Sequence, residues 1–298
     1  MNVCGKDIRV RGRLIRIAGL DADTYEFLDN PESTIESLRK CSGRIDLFTF
    51  MQRLPECSPK YRYSMVWDNL AALPVSTFDH WWERQIGKKT RNKARQAEKK
   101  GVVVREVAFD ETLVHGIWRI YNESSVRQGK PFSHYGKSIE AVRKSAGTFL
   151  ERSIFAGAFF GEELIGFTKL IMDETHTQAG LVHIISMLEH RDKAPANALI
   201  AQAVRSCAAR GIPYLVYSRF SEGKKRRDSL IDFKEHNGFQ RFDLPRYYIP
   251  LTRLGTLALH CGLHTNLIDH LPEPLVARLR QLRSAWYHRK LQSTAEAS

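Results

Sequence analysis

Apolar residues show their clearest strand and helix periodicity in the second half of the chain. Two β-rich runs are joined by Gly161-Glu162-Glu163, which is typical of a hairpin turn. Further apolar runs predict three more strands, and the two helices between them end at Gly211 and Gly238. The predicted order is strand 154–160, strand 164–172, strand 181–187, helix 195–209, strand 212–217, helix 228–237 and strand 247–251.

The first half has a mixed α/β pattern. Ser76 and Asp79 have the spacing of a capping box and predict a helix that runs to Lys100, where Gly101 ends it. Asp110 is placed to cap a second helix. The other predicted elements are strands 8–17, 45–54 and 102–107, an extended segment 61–67, helices 34–40 and 138–150, and a helical tail from residue 252.

Composition narrows the class of protein. The 298 residues include 46 Lys and Arg against 33 Asp and Glu, for a net charge of +13, and the 43% of apolar residues excludes a disordered polycation. Five scattered cysteines form no Cys-x-x-Cys pair, so they are expected to be reduced structural thiols. No apolar run approaches the 20 or so residues of a membrane span, and residues 1–16 are too charged for a secretory signal. These features predict a soluble cytoplasmic protein.

A candidate anion site lies between strand 181–187 and the helix after it. Residues 191–197 read Arg-Asp-Lys-Ala-Pro-Ala-Asn. The backbone amides and the dipole of a helix start favour phosphate, and small residues let an anion approach the backbone. Arg191 and Lys193 would meet its charge. The alternative is an ordinary strand–helix loop with solvated basic residues.

The arrangement resembles the GNAT acyltransferase superfamily, whose pyrophosphate loop reads Gln/Arg-x-x-Gly-x-Gly/Ala. Arg191, Ala194 and Ala196 match this pattern, although Ala194 stands where the family usually has Gly. The resemblance implies an acyl-CoA donor, with its phosphates at Arg191, Lys193, Ala194, Ala196 and Asn197.

The short helix after the buried strand resembles a narrower group, the Fem-like aminoacyltransferases that build peptidoglycan bridges. Residues 228–239 read DSLIDFKEHNGF, in which the Phe233-Lys234 pair is followed by Gly238-Phe239. The resemblance implies that Lys234 stabilises charge developing on the acyl group and the leaving group, with Phe233 at the substrate site. The alternative is a surface lysine on an amphipathic helix.

The segment 88–100 is the third feature that resembles the Fem-like pattern. It contains seven basic residues and one acidic residue, Glu98. Such a strip can bind phosphates or RNA without reading sequence, although a run of charge is more often a solvated face. Arg91, Lys93 and Arg95 are the candidate substrate-binding residues. Two further basic clusters lie at 224–227 and 278–290.

Removal of a proton from the acceptor ammonium requires a base. His183 lies on the strand before the candidate anion site, on the face predicted to carry Leu181, Ile185 and Met187, and its ordinary pKa suits the task. Tyr217 ends the buried strand and could donate a proton to the leaving group. Both residues could equally be packing residues. His260 and His264 are four apart, but no acidic partner completes a metal site, so no metal is predicted.

The sequence therefore predicts an α/β (α+β) fold: a GNAT-like, largely antiparallel sheet flanked by helices. The predicted divisions are an abbreviated α/β region 1–100 that ends in the basic helix, a GNAT-like domain 101–252 and a helical tail 253–298. The expected function is N-acyl transfer from acyl-CoA to an amine acceptor by direct attack. One alternative is an aminoacyltransferase that uses aminoacyl-tRNA to extend a cell-wall peptide precursor. The other is a nucleic-acid-binding protein without catalytic activity.

Overall fold

The structure is a computed structural model that describes residues 1–127, 129–221 and 229–264. In these ranges the chain forms thirteen strands and eight α-helices, with a π-helical turn at Trp81–Gln85 and 3₁₀ turns at Leu150–Arg152 and Arg191–Lys193. The strands are β1 (Asn2–Val3), β2 (Lys6–Arg11), β3 (Ile17–Leu20), β4 (Leu47–Met51), β5 (Ser64–Pro74), β6 (Val102–Val107), β7 (Val126–Arg127), β8 (Lys130–Pro131), β9 (Ser153–Phe160), β10 (Glu163–Met172), β11 (Gln178–Ser186), β12 (Tyr214–Val216) and β13 (Gln240–Pro250). The helices are α1 (Pro31–Lys40), α2 (Phe78–His80), α3 (Lys88–Lys99), α4 (Glu111–Asn122), α5 (Ile139–Ala146), α6 (Pro195–Ala209), α7 (Ser229–His236) and α8 (Arg253–His260).

Eleven strands form one mixed sheet in the order β1-β2-β3-β4-β13-β5-β12-β11-β10-β9-β6. Only the β3–β4 and β11–β12 pairs are parallel, so the sheet is largely antiparallel, as predicted. β5 lies between β12 and β13, so strands from both sides of residue 100 share one sheet. The predicted division at residue 100 therefore does not separate two sheets, and the three-part division of the chain stays a prediction.

The helices cover both faces of the sheet around β10. Successive residues of a strand point to opposite faces. Lys169 reaches the end of α5, where its Nζ donates to the carbonyl of Ala146 at 2.7 Å, whereas Leu170 packs in the cluster that includes Ile200 of α6. α4 lies on the Lys169 side and comes so close to the sheet that a Cβ on Gly116 would meet Leu164 at 2.5 Å.

The predicted order of strands and helices from residue 154 onward is confirmed, although the boundaries differ. β5 and β13 are eleven residues each, longer than the predicted 61–67 and 247–251, because each pairs with the other over most of its length. The predicted strand 8–17 is instead two antiparallel strands, β2 and β3. The chain leaves β2 through Gly12, whose φ of +92° disfavours other residues.

The helix predicted from Ser76 to Lys100 is broken in two. Ile86 is extended, and α3 begins after Gly87. The cap at the start is Thr77, whose side chain accepts a hydrogen bond from the His80 amide, so the capping box predicted at Ser76 and Asp79 is wrong.

The predicted tail begins as α8, which Thr252 caps. Residues 265–298 of the tail lie outside the described residues, as do the basic clusters at 224–227 and 278–290. Among the described residues, no helix has the length and apolarity needed to cross a bilayer. All five cysteines are free thiols.

Candidate functional site

The sheet opens between its two central parallel strands. β11 and β12 pair only at Gln178–Tyr214, Ala179–Leu215 and Gly180–Val216. β11 then continues to Ser186, while the chain after β12 turns toward β5: the Tyr217 amide donates to Ala71 at 2.7 Å, and the Ala71 amide donates to Ser218 at 2.9 Å. Backbone groups on the opened side of β11 are therefore not paired with β12. The two strands therefore diverge after the Gly180–Val216 pair.

Tyr217 and Lys234 meet on the β12 side of the opening. Lys234 is only 3% exposed, and its Nζ lies 5.2 Å from the centre of the Tyr217 ring. It donates hydrogen bonds to the carbonyls of Arg219 and Phe220. Lys234 is therefore not the exposed surface lysine that was the alternative prediction. Burial raises the pKa of Tyr217, which keeps its hydroxyl protonated and able to donate.

Phe233 packs beside these two residues. Its ring centroid lies 6.4 Å from that of Tyr217, which also contacts Phe239 at 5.7 Å. The Phe233 carbonyl accepts a hydrogen bond from the Asn237 side chain at 2.8 Å. Phe233, Lys234 and Phe239 thus all pack around Tyr217, on the β12 side of the opening.

His183 lies on the other face of β11. A bulge at Val182 shifts the register, since Leu170 pairs with Leu181 and Lys169 pairs with His183. Leu181 consequently packs on the α6 side, whereas His183 faces the side of α4 and α5. The prediction that His183 shares a face with Leu181 is wrong, because an alternating pattern does not reveal an extra residue in a strand.

The bulge places His183 in a group of rings that the sequence did not single out. Its ring centroid lies 5.7 Å from that of His134, 5.9 Å from that of Phe167 and 6.5 Å from that of Tyr121. Lys137 Nζ contacts His134 Nδ1 at 3.1 Å. Because an ammonium donates, neutral His134 carries its proton on Nε2. Tyr121 and His134 come from α4 and the connection after it, so no local spacing could have linked them to His183.

Burial and neighbouring positive charge keep His183 neutral. Burial is the main reason that its pKa falls to about 4, and His134, Lys169 and Lys137 lower it further. Burial likewise lowers the pKa of His134. At neutral pH both rings are therefore uncharged. His183 can accept a proton, but its low pKa makes it a weak base.

We expect the titration of His183 to govern part of the acid stability of the fold. Its folded pKa lies below the unfolded value of about 6.5, so the unfolded state binds more protons between pH 6.5 and 4. As the pH is lowered through that range, the free energy of unfolding falls by up to about 3 kcal/mol. His183→Gln should flatten this dependence in urea titrations at several pH values. The variant His115→Gln, at an exposed histidine, is measured in parallel as the reference for the substitution itself. An unaltered slope in His183→Gln would contradict the assignment.

The candidate anion segment folds as a compact turn. Arg191–Lys193 is a 3₁₀ turn, and Ala194 adopts a left-handed conformation with φ +53° before α6 begins at Pro195. The amides of residues 191, 193, 194 and 197 donate to carbonyls of residues 188, 190, 191 and 194. Four amides of the segment are thus already bonded to carbonyls within it or just before it.

The side chains of the segment have different surroundings. Arg191 is exposed and makes no hydrogen bond or ion pair with a described residue, whereas Lys193 Nζ contacts His190 Nδ1 at 3.1 Å and lies over the Phe160 ring. Asn197 faces α7, where its side chain lies 3.5 Å from that of Asn237. Ala196 is half-buried in the first turn of α6, which has no side-chain cap.

Ala194 has the backbone conformation for which glycine is suited. A left-handed conformation costs a residue with a Cβ about 1–2 kcal/mol, of which the lower entropy of unfolded alanine offsets part. Ala194→Gly is therefore expected to raise the free energy of unfolding by about 0.5–1 kcal/mol. Chemical denaturation measures this change. The matched variant Ala198→Gly, within α6, should lower the free energy of unfolding. If Ala194→Gly also lowered it, the strain inferred at Ala194 would be contradicted.

The basic helix α3 joins the two sides of this region. Trp81 Nε1 donates to the Asn237 carbonyl at 3.0 Å, and Thr90 Oγ1 donates to the His236 carbonyl at 2.9 Å, so the segment packs on the end of α7. At its other end, Gln96 and Lys100 donate to the Asp192 carbonyl at 2.8 and 3.2 Å. Lys100 also pairs with the Asp192 carboxylate at 2.7 Å and lowers its pKa.

The basic residues of this segment divide into one structural residue and an exposed set. Arg91 is half-buried, and its guanidinium donates to the carbonyls of Trp82 and Ile86 at 2.8 and 2.7 Å, which holds the break between the π turn and α3. Arg95 lies 5.4 Å over the Trp82 ring, and Lys93 makes no hydrogen bond or ion pair with a described residue. The exposed residues, here called the α3 basic surface, are Lys88, Lys89, Lys93, Arg95, Lys99 and Lys100.

Two cavities lie apart from the candidate site residues. A cavity of about 590 Å³ lies between β6, α4 and β9, and another of about 340 Å³ lies beside β4. Neither is lined by Lys234 or by residues 191–197. In the part of the chain that the structure describes, no three His, Cys, Asp or Glu side chains are grouped to hold a metal ion. His260 Nδ1 instead lies 2.8 Å from the Thr256 carbonyl.

Comparison with solved structures identifies the fold. The C-terminal domain of a putative lysylphosphatidylglycerol synthetase from Agrobacterium fabrum is similar, with a TM-score of 0.54 at 14% identity over 85% of this chain and 82% of that chain. L-PGS from Bacillus licheniformis gives a TM-score of 0.56 at 14% identity, over 85% of this chain and 83% of that chain. The chain has a GNAT-like fold. FemX is a further match, with a TM-score of 0.49 at 11% identity, over 74% of this chain and 69% of that chain. No protein family profile matches the sequence, and no curated protein is significantly similar to it.

Proposed function

We propose that this chain is an aminoacyltransferase that takes its donor group from aminoacyl-tRNA and transfers it to an amine acceptor. The observation that carries the proposal is the position of the α3 basic surface. α3 contacts both the turn at 191–193 and the end of the helix that holds Lys234. A polyanion bound along α3 would therefore reach the opening between β11 and β12.

The charge on α3 suits a nucleic-acid backbone. Exposed lysines and arginines bind phosphates without reading bases, and the affinity falls steeply with salt. Lys88, Lys89, Lys93 and Lys99 have no hydrogen-bond or ion-pair partner among the described residues, so binding would not first require an ion pair to break. The similarity to a putative lysylphosphatidylglycerol synthetase supports an aminoacyl rather than a simple acyl group.

The chemistry needs no covalent intermediate on the protein. The nitrogen lone pair of the acceptor attacks the ester carbonyl, the new C–N bond forms, and the bond to the tRNA 3′ oxygen breaks. In this mechanism Tyr217 gives its proton to the departing oxygen, and Lys234, whose ammonium lies over the Tyr217 ring, offsets the negative charge that develops. His183, on the face that α4 covers, takes the proton from the acceptor nitrogen.

An acyl-CoA-dependent N-acyltransferase is the second candidate. Two observations favour it: Arg191 is exposed beside the start of α6, and that helix has no side-chain cap, so the amide of Ala196 is available to a phosphate. It ranks below the first candidate because four amides of the segment already donate to nearby carbonyls and Asp192 adds a negative charge.

A donor-binding screen separates the two candidates. The melting temperature of the protein would be measured with charged tRNA, uncharged tRNA, coenzyme A and acetyl-CoA at two salt concentrations. We expect both tRNAs to raise it at low salt and coenzyme A to leave it unchanged. A shift with coenzyme A that Arg191→Ala abolishes, together with no effect of tRNA, would favour the second candidate and contradict the first.

A further inference from the structure

A carboxylate of the protein accepts hydrogen bonds from two backbone amides just after β11. Glu123 follows α4, and its Oε2 accepts a hydrogen bond from the Leu188 amide at 2.8 Å. Its Oε1 accepts one from the Glu189 amide at 2.9 Å. These are the last two residues before the turn at 190–193, so the carboxylate lies at the entrance to the segment that resembles a phosphate loop.

Arg127 completes a set of donors around this carboxylate. Its Nη2 donates to Glu123 Oε2 at 2.9 Å, and its Nη1 donates to the Ser186 carbonyl at 2.6 Å. The Arg127 guanidinium also lies 4.7 Å over the Phe132 ring. Both side chains of the ion pair are largely buried, at 15% and 17% exposure. Two adjacent amides and a guanidinium form a donor set that suits a phosphate as well as a carboxylate.

We propose that Glu123 is a specificity residue: it fills this anion site with the protein's own carboxylate and so excludes donors that carry a diphosphate, such as coenzyme A. The Met187 amide donates to the Ile165 carbonyl, and the amides of residues 188 and 189 donate to the Glu123 carboxylate. A diphosphate at this place would have to displace Glu123 or lie against its charge. An aminoacyl-tRNA avoids this conflict, because its phosphates would lie along α3. The proposal rests on the proposed aminoacyl-tRNA donor.

The test measures whether removal of the carboxylate creates an anion site. Binding of coenzyme A and of inorganic pyrophosphate to wild type, Glu123→Ala and Glu123→Gln would be followed by isothermal titration calorimetry. We expect no binding to wild type within the concentration range used, and binding at least about tenfold tighter than that limit in Glu123→Ala, because a repelling charge is removed and the donors become available. Glu123→Gln removes the charge alone, so we expect a smaller gain. In Glu123→Ala, the second substitution Arg127→Gln should remove most of the gain.

The outcomes separate this inference from the proposed function. Folded Glu123→Ala and Glu123→Gln proteins that bind coenzyme A no better than wild type would overturn the inference, even if wild type transfers an aminoacyl group from tRNA. Tight binding of coenzyme A to wild type would overturn it as well. Failure of wild type to use charged tRNA, with a gain of coenzyme A binding in the variants, would overturn the proposed donor and leave the role of Glu123 standing. Glu123→Gln keeps an oxygen acceptor for the amides, so the test does not depend on one variant folding.

Discussion

Replacement of Lys234 by Met is expected to lower the rate of transfer about 100-fold or more, with tRNA affinity changed less than about threefold. The side chain is buried behind the opening, its ammonium lies over the Tyr217 ring, and it donates to the carbonyls of Arg219 and Phe220. Met has similar length and removes only the charge and its hydrogen bonds. Single-turnover transfer from charged tRNA, with tRNA binding measured in parallel, checks the result.

A loss of stability accompanies this substitution and must be separated from the loss of rate. Carbonyls that lose a buried donor cost about 1–3 kcal/mol. Leu38→Ala gives the control, since Leu38 is buried in the N-terminal cluster, away from the opening, and its truncation costs about 2–5 kcal/mol. We expect folded Leu38→Ala protein to keep its rate of transfer. If Lys234→Met retained the wild-type rate while fully folded, Lys234 would be a structural residue only.

Neutralisation of two residues of the α3 basic surface should weaken use of tRNA about tenfold or more near physiological salt. Lys93→Gln with Arg95→Gln removes two exposed charges and leaves the buried face of α3, formed by Thr90, Ala94 and Ala97, unchanged. Loss of two phosphate contacts should also reduce the slope of log affinity against log salt by about 2. Filter binding of tRNA from 50 to 300 mM salt measures both quantities.

The control for this variant keeps the change in net charge the same. Arg39 and Lys40 are exposed at the end of α1. This helix packs beside β2 and β4, which are separated from β11 and β12 by other strands of the sheet. Replacement of both residues by Gln also removes one arginine and one lysine. We expect this double variant to bind tRNA with the wild-type slope. Equal losses in the two double variants would mean that net charge, rather than the position of α3, governs binding.

Much of the fold followed from local pattern. The order from residue 154 onward could be predicted, because each strand there is a short apolar run that ends at a turn signal or gives way to a polar segment. The short helix that carries Lys234 could also be predicted, because it follows a buried apolar strand and ends at Gly238. These features depend on neighbours in sequence.

The features that the sequence did not reveal depend on distant partners. β13 pairs with β5 across more than 160 residues, and both strands extend as far as that pairing does. Trp81 forms part of a π turn rather than an α-helix, where its indole donates to Asn237. The bulge at Val182 changed the face that His183 occupies, and only the folded connection after α4 brings His134 to it. The carboxylate of Glu123 likewise reaches the Leu188 amide, just after β11, from 65 residues away.

The central claim is that a charged tRNA is the donor and that Lys234 acts in its reaction. The most direct measurement is the loss of the aminoacyl group from a labelled charged tRNA, and its appearance on an added amine, under single-turnover conditions with wild type and Lys234→Met. We predict amine-dependent transfer by wild type that falls at least about 100-fold in the variant, with no transfer from acetyl-CoA. Transfer from acetyl-CoA alone, or tRNA binding with no transfer in either protein, would contradict the claim.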